Sequence, residues 1–121
     1  MRGIRGAITV ESNKRSHILD ATKKLLNNII NRNNISDKEI VSIIFTATSE
    51  LDKVYPAVAA RELGFTNIPL MCYQELQVEN SLEKCIRIMI YINRDCQPDK
   101  LHHIYLEKAR ELRPDLADNM R

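Results

Sequence analysis

No hydrophobic run in these 121 residues approaches the roughly 18 apolar residues that a membrane-spanning helix requires, so no span is expected. The opening MRGIRGAITVES has neither the apolar stretch nor the small-residue cleavage site of a secretory leader, and the expected location is the cytoplasm. Cysteine is scarce. Cys72, Cys85 and Cys96 form an odd set with no CxxC pair, which argues for reduced thiols and against a disulfide framework or a metal site. Nor does one sign of charge dominate: 18 Lys+Arg against 16 Asp+Glu leave a formal net charge of +2. Without a basic excess, and with no aromatic platform on which bases could stack, a nucleic-acid partner ranks last. Internal repeats, low-complexity tracts and linker-like runs are also missing, so residues 1–121 read as a single domain. A chain of this size can bury a core, although a partner surface would help it.

What is present is a regular alternation of elements. Gly3 to Val10 reads as a strand. From Lys14 to Asn31, Ile18, Leu19, Thr22, Leu25, Leu26, Ile29 and Ile30 fall on one face of an amphipathic helix. The Asn-rich stretch 31–34 ends it, and Ser36-Asp37-Lys38-Glu39 has the pattern of a capped helical turn. Ile40 to Thr46 is a nearly continuous apolar run, expected to be a strand covered on both faces. A second helix is expected from Pro56 to Leu63, stopped by Gly64. Ile68 to Tyr73 reads as a third strand, with Pro69 marking an edge or bulge. In Cys85 to Asn93, alternation sends Ile86, Ile88, Ile90 and Ile92 to one face and Cys85, Arg87, Met89 and Tyr91 to the other. His102 to Leu106 is a fifth strand or the start of a helix. Propensity favours helix from Glu107 to Leu112, until Arg113-Pro114 breaks it. The fold class is therefore mixed α/β, with helices layered on a mixed sheet.

Several residues do not fit a bland domain. Arg87 lies in the middle of an apolar strand, where an unpaired guanidinium is costly to desolvate. Three accounts remain open: an internal carboxylate partner, snorkelling to an open sheet face, or binding of an anionic ligand. Arg5 stands in the first strand between Gly3 and Gly6, in a chain with only three glycines. Glu75, just past the third strand, is either a solvated or ion-paired carboxylate or an acceptor for a ligand hydroxyl. Tyr105 suits a core edge or a site. Cys72 has no accompanying base and reads as a buried or ligand-lining thiol rather than a nucleophile. His102 and His103 are adjacent, so on a strand they point to opposite sides and cannot share a metal. Arg61, Arg110 and Arg113 read as surface residues. Arginines, a tyrosine and a glutamate without a nucleophile, metal or general base suggest binding of a small polyanion, and do not reach a reaction.

Five segments in order, RGIRGAITVE (2–11), YPAVAARELG (55–64), IPLMCYQELQV (68–78), SLEKCIRIMIYIN (81–93) and HIYLEKARELRPDL (103–116), resemble the small trimeric chorismate mutases. That resemblance implies a five-stranded mixed sheet with two main helices on one side. It also implies a homotrimeric pseudo-barrel with active sites in the clefts between subunits. The implied reaction is the unimolecular rearrangement of chorismate to prephenate, in aromatic amino-acid biosynthesis, with no cofactor and no metal. Arg87 would meet the ether oxygen and a carboxylate, Arg5 and Tyr105 would hold carboxylate, and Glu75 would accept from the ring hydroxyl. Cys72 would line the pocket near that hydroxyl, Arg61 and Arg113 its mouth, and Tyr55, Ala57 and Leu112 its apolar walls. Val58 stands in place of a lysine found in some members, Met71 in place of a small polar residue, and Asn80 in place of a glycine. Asn80 is a tolerable change because asparagine also visits left-handed backbone. The chain from Leu106 onward, with the polar Asp118-Asn119 near its end, is expected to be mobile, and whether it closes over ligand is left open by the sequence. An enamine or imine deaminase on a similar trimeric scaffold, or a non-catalytic sensor of an aromatic-pathway acid, are the alternatives.

Overall fold

The computed structural model describes residues 1–114. Five strands, β1 (Arg2–Thr9), β2 (Ile40–Ala47), β3 (Leu70–Gln74), β4 (Cys85–Ile92) and β5 (Ile104–Leu106), alternate with helices α1 (Arg15–Arg32) and α2 (Ala57–Glu62). Short 3-10 turns occupy Asp37–Glu39, Pro98–Lys100 and Glu107–Leu112. The strands form one sheet in the order β3-β2-β4-β1-β5. β4 lies in the middle and runs antiparallel to both β1 and β2, while β3 and β5 run parallel to β2 and β1 at the edges. Parallel neighbours require a crossover, which α2 supplies between β2 and β3.

Both helices cover the same face. Ile4, Ile8, Ile43, Phe45, Ile86, Ile88, Ile90 and Ile92 pack there against Ile18, Leu25, Leu26 and Ile29 of α1 and Ala57 and Ala60 of α2. Gly6 lets α1 approach: a Cβ on it would lie 2.6 Å from Ile29 Cδ1 and 3.0 Å from Leu25 Cδ1. Thr22, on the buried stripe of α1, satisfies its hydroxyl by donating to the Ile18 carbonyl at 2.7 Å. Gly64, at φ +101°, ends α2 as its position implied.

The ends of elements are fastened by polar side chains. The Asn33 amide donates to the carbonyls of Ile29 and His102, both at 2.9 Å, and its Oδ1 accepts from the His102 N–H at 2.7 Å. Ser36 and Glu39 form the expected capping box. Glu39 also receives Arg94 through both oxygens, at 2.8 Å each, and Arg94 donates further to the carbonyls of Asn33 and Asn34.

Two expectations need correction. β2 is covered on one face only: Ile40, Ile43 and Phe45 are buried, whereas Val41 is 40% exposed and Ser42, Ile44 and Thr46 are half-buried. A register shift between Ile40 and Ser42 turns Val41 outward, and among the described residues no element covers the Ser42, Ile44 and Thr46 side completely. The Glu107–Leu112 helix is of the 3-10 type, entered through Glu107 at φ +55°. Asp118-Asn119, in the segment expected to be mobile, lie outside the described residues.

Candidate active site

Strand register assembles the site on the sheet face that the helices leave open. Tyr105 pairs with Ala7, Ala7 with Arg87, Arg87 with Thr46, and Thr46 with Tyr73. These five residues form one rung across the whole sheet, with Arg87 at its centre on β4. The Cβ alternation that buries the four isoleucines of β4 is what sends Arg87 to this face. Arg5 lies on the same face one row along, opposite Met89.

Arg87 is both paired and accessible. Its Nε lies 3.0 Å from Glu75 Oε1, with the arginine side chain 48% and the glutamate side chain 20% exposed. The Thr46 hydroxyl donates to the same Glu75 oxygen, and the Glu75 backbone N–H is held by the Ala47 carbonyl at 2.9 Å. Two of the open accounts of Arg87 thus hold together: it has an internal carboxylate partner, and it reaches an open sheet face. Because Glu75 lies against Nε, that contact leaves the two terminal amino groups of the guanidinium to other partners, the neighbouring Cys85 thiol among them, and leaves Glu75 its second oxygen as an acceptor. Cys85 sits beside Arg87 on the same side of β4. Burial, partly offset by Arg87, pushes its thiol up to about 11, so at neutral pH it carries no charge that would neutralise the guanidinium.

One end of this face is closed by an apolar cap. Ala7, Cys85, Tyr105 and Ala109 form a small buried cluster, with Leu82 and Leu112 packed against it. The 3-10 turn carrying Ala109 therefore covers the small side chain of Ala7. Beside it a cleft of about 1070 Å³ runs past Arg87, Leu112, Ser81 and Thr9. A second cleft of about 340 Å³ lies at Glu75, lined by Thr48, Gln77 and Ser81 among others. Asn80, at φ +64°, adopts in this loop the left-handed conformation expected of it.

The remaining sequence-predicted residues fall elsewhere. Cys72 pairs with Phe45 and so points to the helix-covered side of β3. There its thiol is raised by burial and moderated by a backbone group of Ala57 and the charge of Arg61. Tyr55, two residues before Ala57, is 71% exposed. The chain therefore carries two separate groups: Arg5, Glu75, Arg87, Tyr105 and Leu112 on the open face, and Tyr55, Ala57, Arg61 and Cys72 around α2 and the β3 edge. Arg113 lies near His103 and contributes positive charge there.

Two residues escaped sequence reasoning. Thr46 belongs to the Arg87 rung, and period-two counting from Phe45 was the available signal. His103 accepts a hydrogen bond from the Arg5 backbone N–H at 3.0 Å. Nothing in the sequence brings these positions, 98 residues apart, together.

Residues 1–116 match the family described as chorismate mutase type I. The chorismate mutase AroH of Bacillus subtilis is 45% identical over 118 residues, spanning 97% of this chain and 93% of that protein. The AroH of Thermus thermophilus is 43% identical over 117 residues, spanning 96% of each. A chorismate mutase structure from Clostridium thermocellum superposes with a TM-score of 0.90 at 43% identity, covering 92% of this chain and 99% of that one. With an end-to-end match and a shared fold, the chain belongs to the type I chorismate mutase family.

Proposed function

We propose that this protein converts chorismate to prephenate, with Arg87 as the principal catalytic residue. The observation that carries the reading is the guanidinium held at the centre of the open sheet face by Glu75 at 3.0 Å, with its terminal donors uncommitted to that carboxylate. In the rearrangement the ether C–O bond breaks as a C–C bond forms within one molecule. No proton is transferred and no cofactor is needed. Negative charge builds on the ether oxygen as the bond breaks, so a fixed donor there binds the transition state more tightly than the ground state. Arg5 and Tyr105 hold the substrate carboxylates, which selects the compact reactive conformer. The free oxygen of Glu75 accepts from the ring hydroxyl.

The second group of residues completes the pocket from another copy of the chain. Ala57 and Cys72 pack on the helix-covered side of the sheet whereas Arg87 faces the open side, which separates the two groups within a single subunit. A homotrimer, in which the open face of one subunit meets the α2–β3 edge of the next, reconciles them. Met71 and Tyr73, which share the open face, are 53% and 51% exposed in the single chain and would be covered by that contact. Among the described residues no helix is long and apolar enough to cross a membrane, and a cytoplasmic enzyme of aromatic amino-acid biosynthesis fits the reduced cysteines. The family assignment favours the mutase over the deaminase and sensor alternatives.

The test is to mix purified protein with chorismate, follow its disappearance and identify prephenate as an isomer of equal mass. Turnover that Arg87→Ala abolishes is the expected result. A folded, oligomeric protein that leaves chorismate unchanged would overturn the reading and direct binding screens to other dicarboxylates.

A further inference from the structure

The β1–β5 ladder begins with the pairing of Gly6 and Ile104. One residue before that, the Arg5 N–H meets an imidazole: His103 Nδ1 accepts it at 3.0 Å. The side chain thus extends the ladder by one hydrogen bond beyond the strand itself. From this we infer that His103 is a positioning residue, a neutral acceptor that fixes the backbone from which Arg5 reaches its substrate carboxylate. The inference rests on the mutase reading of Arg5.

An imidazole can accept at Nδ1 only when that nitrogen is unprotonated, which requires the neutral Nε2–H tautomer. Protonation would set N–H against N–H and break the anchor. The charged and titratable groups acting on this ring are Arg5 from β1, Arg113 from beyond the 3-10 turn, and His102 from its own segment. All of them oppose a second positive charge. Burial opposes it most, and together they hold His103 below the usual histidine range. The sign follows directly. The neutral, anchoring form is complete above the ordinary histidine pKa of about 6.5 and is lost as pH falls through the lower value of the folded protein. In the protonated state Arg5 loses its backbone anchor and gains a cationic neighbour.

Because His103 acts through a binding residue, its loss falls mainly on KM. Asparagine at this position offers a carboxamide oxygen near the place of Nδ1 and does not titrate. Alanine offers no acceptor.

The experiment combines nitrogen-detected NMR of the histidine rings across pH with kinetics on chorismate for the wild type, His103→Asn and His103→Ala. The wild type should show the Nε2–H tautomer at His103, and its KM should rise as pH falls through the pKa read for that ring, with kcat changing less. His103→Asn should keep KM within about twofold of the wild type at neutral pH and remove the acid rise, whereas His103→Ala should raise KM about fivefold at neutral pH and show no further acid rise, so that it converges with the wild type as pH falls. An Nδ1–H tautomer in the wild type overturns the anchor whether or not chorismate is turned over. The same acid rise in His103→Asn, or an unchanged KM in folded His103→Ala, overturns the positioning role. No turnover by the wild type at any pH would instead remove the mutase reading, and the catalytic half of this inference with it.

Discussion

The two faces of one sheet follow opposite rules. On the helix-covered face, β4 presents Ile86, Ile88, Ile90 and Ile92, each at most 2% exposed, against the apolar stripe of α1. On the other face the same strand presents Arg87, paired through Nε yet half in solvent. Adjacent residues on one backbone thus face a packed core and an open surface separately, because the side-chain period of a strand is two, and the proposed chemistry falls to the second. A charge placed on the first face would be buried without a partner. On the second it has Glu75, Thr46 and an open cleft.

The largest effect should come from the covered face. Phe45 is fully buried, and Phe45→Ala should cost about 3–5 kcal/mol of stability through lost burial and the cavity left behind. Denaturant melts would read this as a lower midpoint, with turnover per folded molecule largely retained. A comparable loss of turnover in the folded protein would mean that the two faces are not independent.

Next comes the mirror-image substitution. Arg87→Ala should lower kcat by about 3 kcal/mol, a hundredfold or more, and barely move the melting midpoint. Arg87→Lys should remain severely impaired, since lysine keeps the charge but lacks a planar fork able to engage Glu75 and ligand together. Normal turnover in folded Arg87→Ala would end the assignment of chemistry to this face.

How far this division could be read from sequence varies by element. The alternation in CIRIMIYIN put Arg87 and the isoleucines on their correct faces, because strand geometry is local. The amphipathic stripe of α1 was equally legible. Cover over β2 was not, since IVSIIFT reads as buried on both sides while part of it waits on an uncovered face. Local patterns report how apolar a segment is, not which molecule covers it. The Arg87–Glu75 pair was one of several open accounts, and only the parallel β2–β3 pairing brings the two strands within reach. Bonds such as Arg5 to His103 and Arg94 to Glu39 depend on chain crossings of 98 and 55 residues, for which periodicity has no signal.

The Arg94–Glu39 pair tests whether electrostatics on the rim of the fold supports structure rather than chemistry. The Arg94 hydrogen bond, with the Ser36 backbone N–H, lowers the Glu39 carboxyl to about 2. Its stabilising contribution is complete above the ordinary carboxylate pKa and is lost as pH falls through that depressed value. With both side chains 24% exposed, solvent screening reduces it, and Glu39→Gln should cost about 1–2 kcal/mol at neutral pH. The variant should also lose less stability than the wild type on acidification, while its kcat at neutral pH stays near that of the wild type. A fall in kcat with no change in melting would move this pair from scaffold to site.

Thr46→Val should have the smallest effect and sharpens the comparison most, because it changes one atom on the open face and nothing in the core. Thr46 and Arg87 both meet Glu75 Oε1, so the carboxylate has two restraints. Removing the hydroxyl leaves the ion pair intact and frees Glu75 to rotate about it. The expected outcome is a loss of about 1 kcal/mol in kcat/KM, roughly fivefold, with an unchanged melting temperature and recovery in Thr46→Ser. Equal activity would mean that Arg87 alone orients Glu75. A loss as deep as that of Arg87→Ala would mean that the hydroxyl itself meets the substrate, and that the reactive surface extends from β4 onto β2.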